Sequence, residues 1–264
     1  MLQRAGKEFQ ITIFDVLNEP EVEIIENTES ECTIVSDLGA SHIARLDAID
    51  RDMIILDHHT VIDVARRACY INPHLYGVDG MTSGCGSTLA LFLAVTLDER
   101  NWDLSQLAMA GVSGDKQTLN GVHGFNEYLL QEATRRGHIE VRNGSFIPIG
   151  ELASELFINT DPYIRGVSGN PEGVAKLLKD AGIDPTKHDS DLTEEERRKL
   201  SSLIGAKLVA QGVCRLTISE IARKRYYLPD WKMDSEMLAS LIDGCGRMKA
   251  YGLGVAAALG DPES

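Results

Sequence analysis

The sequence predicts an α/β fold, a parallel β-sheet with flanking helices followed by a partial second α/β domain. Three observations carry that expectation. Short apolar runs bounded by charge recur in the first half, at Cys32-Thr33-Ile34-Val35-Ser36 and Met53-Ile54-Ile55-Leu56. Stretches of helical character alternate with them, the pattern of βα units. The runs also share an ending: Asp37, Asp57 and, after residues 107–112, Asp115. In open parallel sheets, ligands gather just beyond the carboxyl ends of the strands.

In order, residues 1–8 read as the tail of a helix with Gly6 as its C-cap. Phe9-Gln10-Ile11-Thr12-Ile13-Phe14 alternates apolar and polar, the period of a half-buried strand. Residues 19–31 carry six glutamates and read as a solvated connector or a short helix. Residues 32–36 and 53–56 are the next strands. Gly84-Cys85-Gly86-Ser87 opens an apolar helix reaching Asp98, and residues 107–112 are expected as a further strand leading into Ser113-Gly114-Asp115. Residues 126–136 read as helical, and Asn143-Gly144 is a turn signal. Asn170-Pro171 caps and starts a helix ending at Ala181-Gly182. Thr193 and Glu196 have capping-box spacing for a helix to about Val209. Residues 234–241 are helical, Gly244-Cys245-Gly246-Arg247 reads as a glycine-rich loop, and Gly252-Leu253-Gly254 leads a last apolar stretch. The texture divides the chain into residues 1–125, a helical connector over 126–200, and a partial domain over 201–264.

Composition bounds the function. An apolar fraction of 43% and a charged fraction of 25% over 264 residues suit a soluble globular protein. No apolar run is long enough to span a membrane and no signal-peptide core precedes residue 8, so a cytoplasmic protein without membrane contact is expected. Five cysteines without a Cys-x-x-Cys pair argue against both a disulfide framework and a structural zinc site. The net charge of −14 speaks against tight nucleic-acid binding by the whole surface, though not against a local cationic groove.

Asp57-His58-His59, at the end of residues 53–56, is the stretch with most chemistry. Asp37, His58 and Asp115 form a candidate ligand set, and carboxylate with imidazole suits Mn²⁺ or Mg²⁺ better than a thiolate-loving metal. Asp57 and His59 are then expected beside those ligands, orienting them and a phosphoryl group. Ser83, Gly84 and Gly86 lie where backbone N–H groups at a helix start cradle an anion. A thiol phosphatase on Cys85 would need an arginine six residues on, and position 91 is Leu91. Adjacent His58 and His59 lack the i, i+4 spacing of a helical zinc protease. Gly246 and Arg247 are a second candidate phosphate contact.

Taken together these residues resemble the DHH phosphoesterase superfamily, most closely its archaeal RecJ-like branch. The resemblance rests on Asp57-His58-His59, Ser36-Asp37-Leu38-Gly39, Gly114-Asp115, Thr82-Ser83-Gly84-Cys85-Gly86-Ser87-Thr88, and the run from Gly244-Cys245-Gly246-Arg247 to Leu259-Gly260-Asp261. It implies a two-metal, Mn²⁺- or Mg²⁺-dependent 5′-to-3′ exonuclease on single-stranded DNA or RNA, with a role in DNA repair or replication. On that resemblance Asp37 bridges both metals, while His58 and Asp115 complete one metal's ligands. His59 and Asp57 are the catalytic residues, His59 facing the scissile phosphate, and Arg247 helps hold the substrate. The family's first motif, Asp-x-Asp after a His on the first strand, is not found before Leu17. The expectation is therefore a truncated reading frame, a fragment or an inactive member. Two alternatives stand beside the exonuclease: a non-catalytic replisome scaffold binding a GINS-like partner, and a phosphodiesterase for small oligonucleotides or cyclic dinucleotides.

Overall fold

Residues 1–261 are described by the computed structural model. β1 (Cys32–Ser36) and β2 (Asp52–Leu56) are strands because apolar and β-branched residues fill a pleated, half-buried surface. They pair in parallel, with Val35 opposite Ile55 and Ser36 opposite Leu56. A third strand, β3 (Cys69–Ile71), adds in parallel to β2. The protein is thus an α/β fold built on a three-stranded parallel sheet of order β1-β2-β3.

Helices flank that sheet. α1 (Glu19–Asn27) has its Asn18 cap and a capping box with Glu21, and it buries Val22 and Ile25 while its glutamates stay in water. It packs with α2 (Ile43–Ala48), and both share a core with Val35, Met53 and Ile55 of the sheet. Residues of the other parity, Ile54 and Leu56, point to the opposite face, and α4 lies against β1 and β2. After the short α3 (Gly80–Ser83), α4 (Gly86–Leu97), α5 (Ser105–Gly114) and α6 (Gly124–Arg135) build a second core around Leu91, Met109 and Leu129. The chain then forms β4 (Glu140–Arg142).

The described chain forms two compact units, residues 1–141 with those from 226 onward, and residues 142–225. The second unit is helical: α7 (Leu152–Ile158), α8 (Pro171–Ala181), α9 (Glu194–Ala210) and α10 (Arg215–Ile221) close around Leu156, Leu178 and Ile204. In the first unit, β5 (Arg225–Leu228) and β6 (Met233–Asp234) pair antiparallel in a small sheet of order β4-β5-β6. α11 (Ser235–Arg247) packs on α5, and α12 (Tyr251–Ala258) follows. The boundaries at 125 and 200 expected from texture do not coincide with these units. Residues 201–225 complete a helical body rather than open an α/β domain, and residues 226–261 return to the first unit.

Several local expectations are corrected. Residues 9–14 form no strand: Phe9, Ile11 and Ile13 are exposed and unpaired, while Phe14 alone of the run packs on the core. Alternation names the face a strand would bury, but a strand also needs an edge to pair with. Residues 107–112 lie within the helix α5, where Ala108, Met109, Ala110 and Val112 are all buried. A helix covered on nearly every side carries no amphipathic period, so its apolar run looks like a buried strand. Gly244 to Arg247 is the last turn of α11 rather than a loop. Among the described residues, no helix is long and apolar enough to cross a membrane.

Candidate functional site

The carboxyl ends of β1 and β2 build the site. Each ladder continues one bond past its strand: Asp37 N–H donates to Leu56 O at 2.8 Å, and Asp57 N–H to Ile71 O at 3.1 Å. Asp37 then turns out of the sheet at φ 64°, a left-handed conformation that a non-glycine residue adopts at a cost. The next residues place His58 under Asp37, with its Nε2 donating to Asp37 Oδ1 at 3.2 Å and standing 3.8 Å from Asp115 Oδ2. Asp115 arrives from the C-terminal end of α5, not from a strand. The structure therefore brings Asp37, His58 and Asp115 together, with the imidazole buried and both carboxylates reaching solvent.

The His58 ring is fixed from behind. Its Nδ1 lies 2.8 Å from the Gly80 carbonyl, which only accepts, so Nδ1 carries a proton and Nε2 faces the two acids. Burial opposes the charged imidazole, but the bond to Asp37, the Gly80 carbonyl and the charges of Asp115 and Asp37 outweigh it and raise its pKa to about 9. Two carboxylates around one imidazolium leave an excess negative charge. Asp115 registers it: burial first, and the nearby Asp37 charge, push its carboxyl above the usual range against the pull of His58 and Gln117.

Asp57 plays a different part. It is buried, its Oδ2 accepts Ala40 N–H at 2.7 Å, and its Oδ1 accepts His58 N–H at 2.7 Å and His59 N–H at 3.2 Å. His59 Nδ1–H donates to the same Oδ1 at 2.7 Å. A side chain so enclosed is closed off from solvent. It clamps the β1 loop to the end of β2 and orients the half-exposed His59, whose ring centroid lies 4.5 Å from that of His58.

Two glycines let backbone crowd this cluster. A Cβ on Gly86, in the first turn of α4, would sit 2.7 Å from the Asp37 Cβ and 2.8 Å from its Cγ. A Cβ on Gly80 would collide with the His58 carbonyl. The expected anion cradle is only partly available, since Gly84 N–H already donates to Gln117 Oε1 at 3.0 Å. Ser83 pairs with Thr82, their hydroxyl oxygens 3.2 Å apart, and a Cβ on Gly124 would collide with the Ser83 Cβ at 2.6 Å.

Arg247 stands apart from the carboxylates. α11 begins near them, with Ser235 Oγ 2.6 Å from Ser113 Oγ and Ala239 beside Gly114. Arg247 follows eight residues after Ala239, about 12 Å farther along the helix. There it pairs with Asp243 at 2.6 Å, and with Gly246, Lys249, Asp15 and Tyr251 it lines an open recess of about 340 Å³.

Among the described residues, no three His, Cys, Asp or Glu side chains are arranged to hold a metal ion as they stand. The Nε2 proton and its bond to Asp37 occupy the place where donors would have to open around a cation. The chemistry of the donor set does fit one: two carboxylates and an imidazole converge, the charge is in excess, and Nδ1 is anchored on a carbonyl as metal-binding histidines usually are. Sequence reasoning did not anticipate Gly80, Asn126 or Gln117, which support that set.

No family model matches the chain. It is 29% identical, over an alignment of 276 positions, to an uncharacterized protein of Methanocaldococcus jannaschii, an alignment that takes in 100% of this chain and 60% of that relative. The chain thus spans about 60% of the length of the curated relative it matches.

Proposed function

We propose that this chain carries part of the metal-dependent site of a phosphodiesterase, a RecJ-like 5′-to-3′ exonuclease on single-stranded nucleic acid related to the DHH phosphoesterases. The observation that supports it best is His58 between Asp37 and Asp115 at the carboxyl edge of a parallel sheet, with His59 held beside it by the buried Asp57. Asp37, His58 and Asp115 would hold Mn²⁺ or Mg²⁺, which when bound neutralises phosphate oxygens and lowers the pKa of a water.

The other residues act on the substrate directly or through a neighbour. Asp57 Oδ1 accepts the hydrogen bond from His59 Nδ1–H, so the exposed Nε2 is the atom available to a phosphoryl oxygen or a leaving group. The buried clamp on Asp57 keeps that ring from turning, the condition for a proton to be held at one place. Arg247 and Lys249 supply cationic contacts away from the carboxylates, suited to a phosphate farther along a strand.

The test is digestion of a 5′-labelled single-stranded oligonucleotide with Mn²⁺, with Asp37→Ala as background. Stepwise loss of 5′ nucleotides that disappears in Asp37→Ala supports the reading. Cleavage of dinucleotides alone moves the substrate to small nucleotides. If neither Mn²⁺ binding nor cleavage occurs and a GINS-like protein is captured, the scaffold reading replaces it.

A further inference from the structure

Gln117 lies two residues beyond Asp115 and is 4% exposed, an amide sealed into the protein behind the acid cluster. All four of its hydrogen-bond positions are used. Its Oε1 accepts Gly84 N–H at 3.0 Å and Asn126 Nδ2–H at 2.7 Å. Its Nε2 donates to Gly80 O at 2.9 Å and to Asp115 Oδ2 at 2.6 Å. The orientation of the amide is not arbitrary, because a backbone N–H only donates and so identifies the atom facing Gly84 as the oxygen. Behind it, Asn126 Oδ1 accepts the Thr88 hydroxyl proton at 2.6 Å, with both residues fully buried.

The bonds therefore run in one direction: Thr88 to Asn126, Asn126 to Gln117, and Gln117 to Asp115 and the Gly80 carbonyl. That carbonyl is the one holding His58 Nδ1, so Gln117 Nε2 and His58 Nδ1 are two donors 3.4 Å apart on a shared acceptor. One amide thus reaches two members of the cluster, Asp115 directly and His58 through Gly80. A chain of this kind delivers N–H groups only, and it is satisfied when Asp115 accepts as a carboxylate.

We propose that Gln117 is the positioning residue of this site: it holds Asp115 Oδ2 beside His58 Nε2 and stiffens the carbonyl that anchors the imidazole, so that the donors stand ready for a divalent cation. The consequence for a cation rests on the reading given under Proposed function, whereas the consequence for Asp115 and His58 does not. A residue that only filled space would be replaced well by methionine, which is of similar length and volume. A positioning amide would not, because Gln117→Glu sets an acceptor against Asp115 Oδ2 and Gly80 O, and Gln117→Met sets nothing there.

The experiment uses the full 264-residue chain with Gln117→Glu and Gln117→Met. Mn²⁺ binding is measured by titration calorimetry, and the Asp115 carboxylate ¹³C and His58 imidazole ¹⁵N resonances are recorded without metal. Both variants are expected to bind Mn²⁺ roughly 10- to 100-fold more weakly, the usual effect of removing an outer partner of a metal ligand. Both should shift the Asp115 and His58 resonances while amide signals of the second unit stay in place. Wild-type affinity and unmoved resonances in Gln117→Glu would overturn the proposal. A wild-type protein that takes up no Mn²⁺ would sink the metal reading instead, and the resonances would still decide the role of Gln117. If Gln117→Glu fails to fold, Gln117→Met carries the same readouts.

Discussion

Replacing Gly86 by alanine tests whether α4 really presses on the acid cluster. The added Cβ meets the Cβ and Cγ of Asp37 at 2.7 and 2.8 Å, and its Oδ1 as well, so rotating the carboxylate alone does not relieve it. Ordinary contact begins near 3.4 Å, and Asp37 is already at φ 64°, with little backbone freedom to retreat. A retreat of about half an ångström or more opens the 3.2 Å bond to His58. Overpacking of this kind costs roughly 1–3 kcal/mol, only partly offset by the better helix propensity of alanine. In a chain of this size that lowers Tm by about 2–10 °C. Gly244→Ala is the matched control: its Cβ meets nothing within 4 Å, inside α11, so it should stabilise by about 0.5–1 kcal/mol. Circular-dichroism melting with Mn²⁺ titration of both variants gives the comparison. A Gly86→Ala protein that melts with wild type and binds Mn²⁺ equally would refute the crowding argument.

Other outcomes follow from the same geometry. Without metal, the His58 pair with Asp37 contributes stability fully present below the ordinary histidine pKa of about 6.5 and lost as pH rises through about 9. Melting curves of wild type and His58→Gln should therefore converge between neutral and alkaline pH, and a constant gap would contradict it. Asp57→Asn leaves an N–H₂ facing either Ala40 N–H or the His58 and His59 donors, a loss of about 1–3 kcal/mol by chemical denaturation together with a His59 ring no longer fixed by NMR. Arg247→Ala should weaken oligonucleotide binding by about 1.5 kcal/mol, the low end for a charged contact because the guanidinium is exposed and paired with Asp243, while Mn²⁺ affinity is unchanged. Calorimetry should also find no more than one divalent ion per chain at the described cluster, since it offers one imidazole and two carboxylates.

Where a local rule acts alone, the sequence was easy to read. The Asn170 cap, Pro171 start and Gly182 stop of α8, and the Thr193–Glu196 box of α9, appear as written in the chain. β1 and β2 were equally plain, because their apolar runs end sharply at Asp37 and Asp57. Asp115 reaches the cluster by another route than expected, from a helix end, because a buried helix and a buried strand have the same apolar texture. β3 is only Cys69–Ile71, too short to stand out from its surroundings. Gln117 was invisible for a different reason: a neutral amide has no motif, and its partners Gly80, Gly84 and Asn126 are near only in space.

Residues 142–225 leave and rejoin the first unit through β4 and β5, which are neighbours in the small sheet. An insert whose two ends are already side by side imposes little on its host, since closing a long loop costs only slightly more than closing a short one and this loop closes itself by folding. With its own core around Leu156, Leu178 and Ile204, such a segment behaves as a cassette. Its packing is set by its own apolar residues and not by those beneath the sheet edge that bears Asp37 and His58.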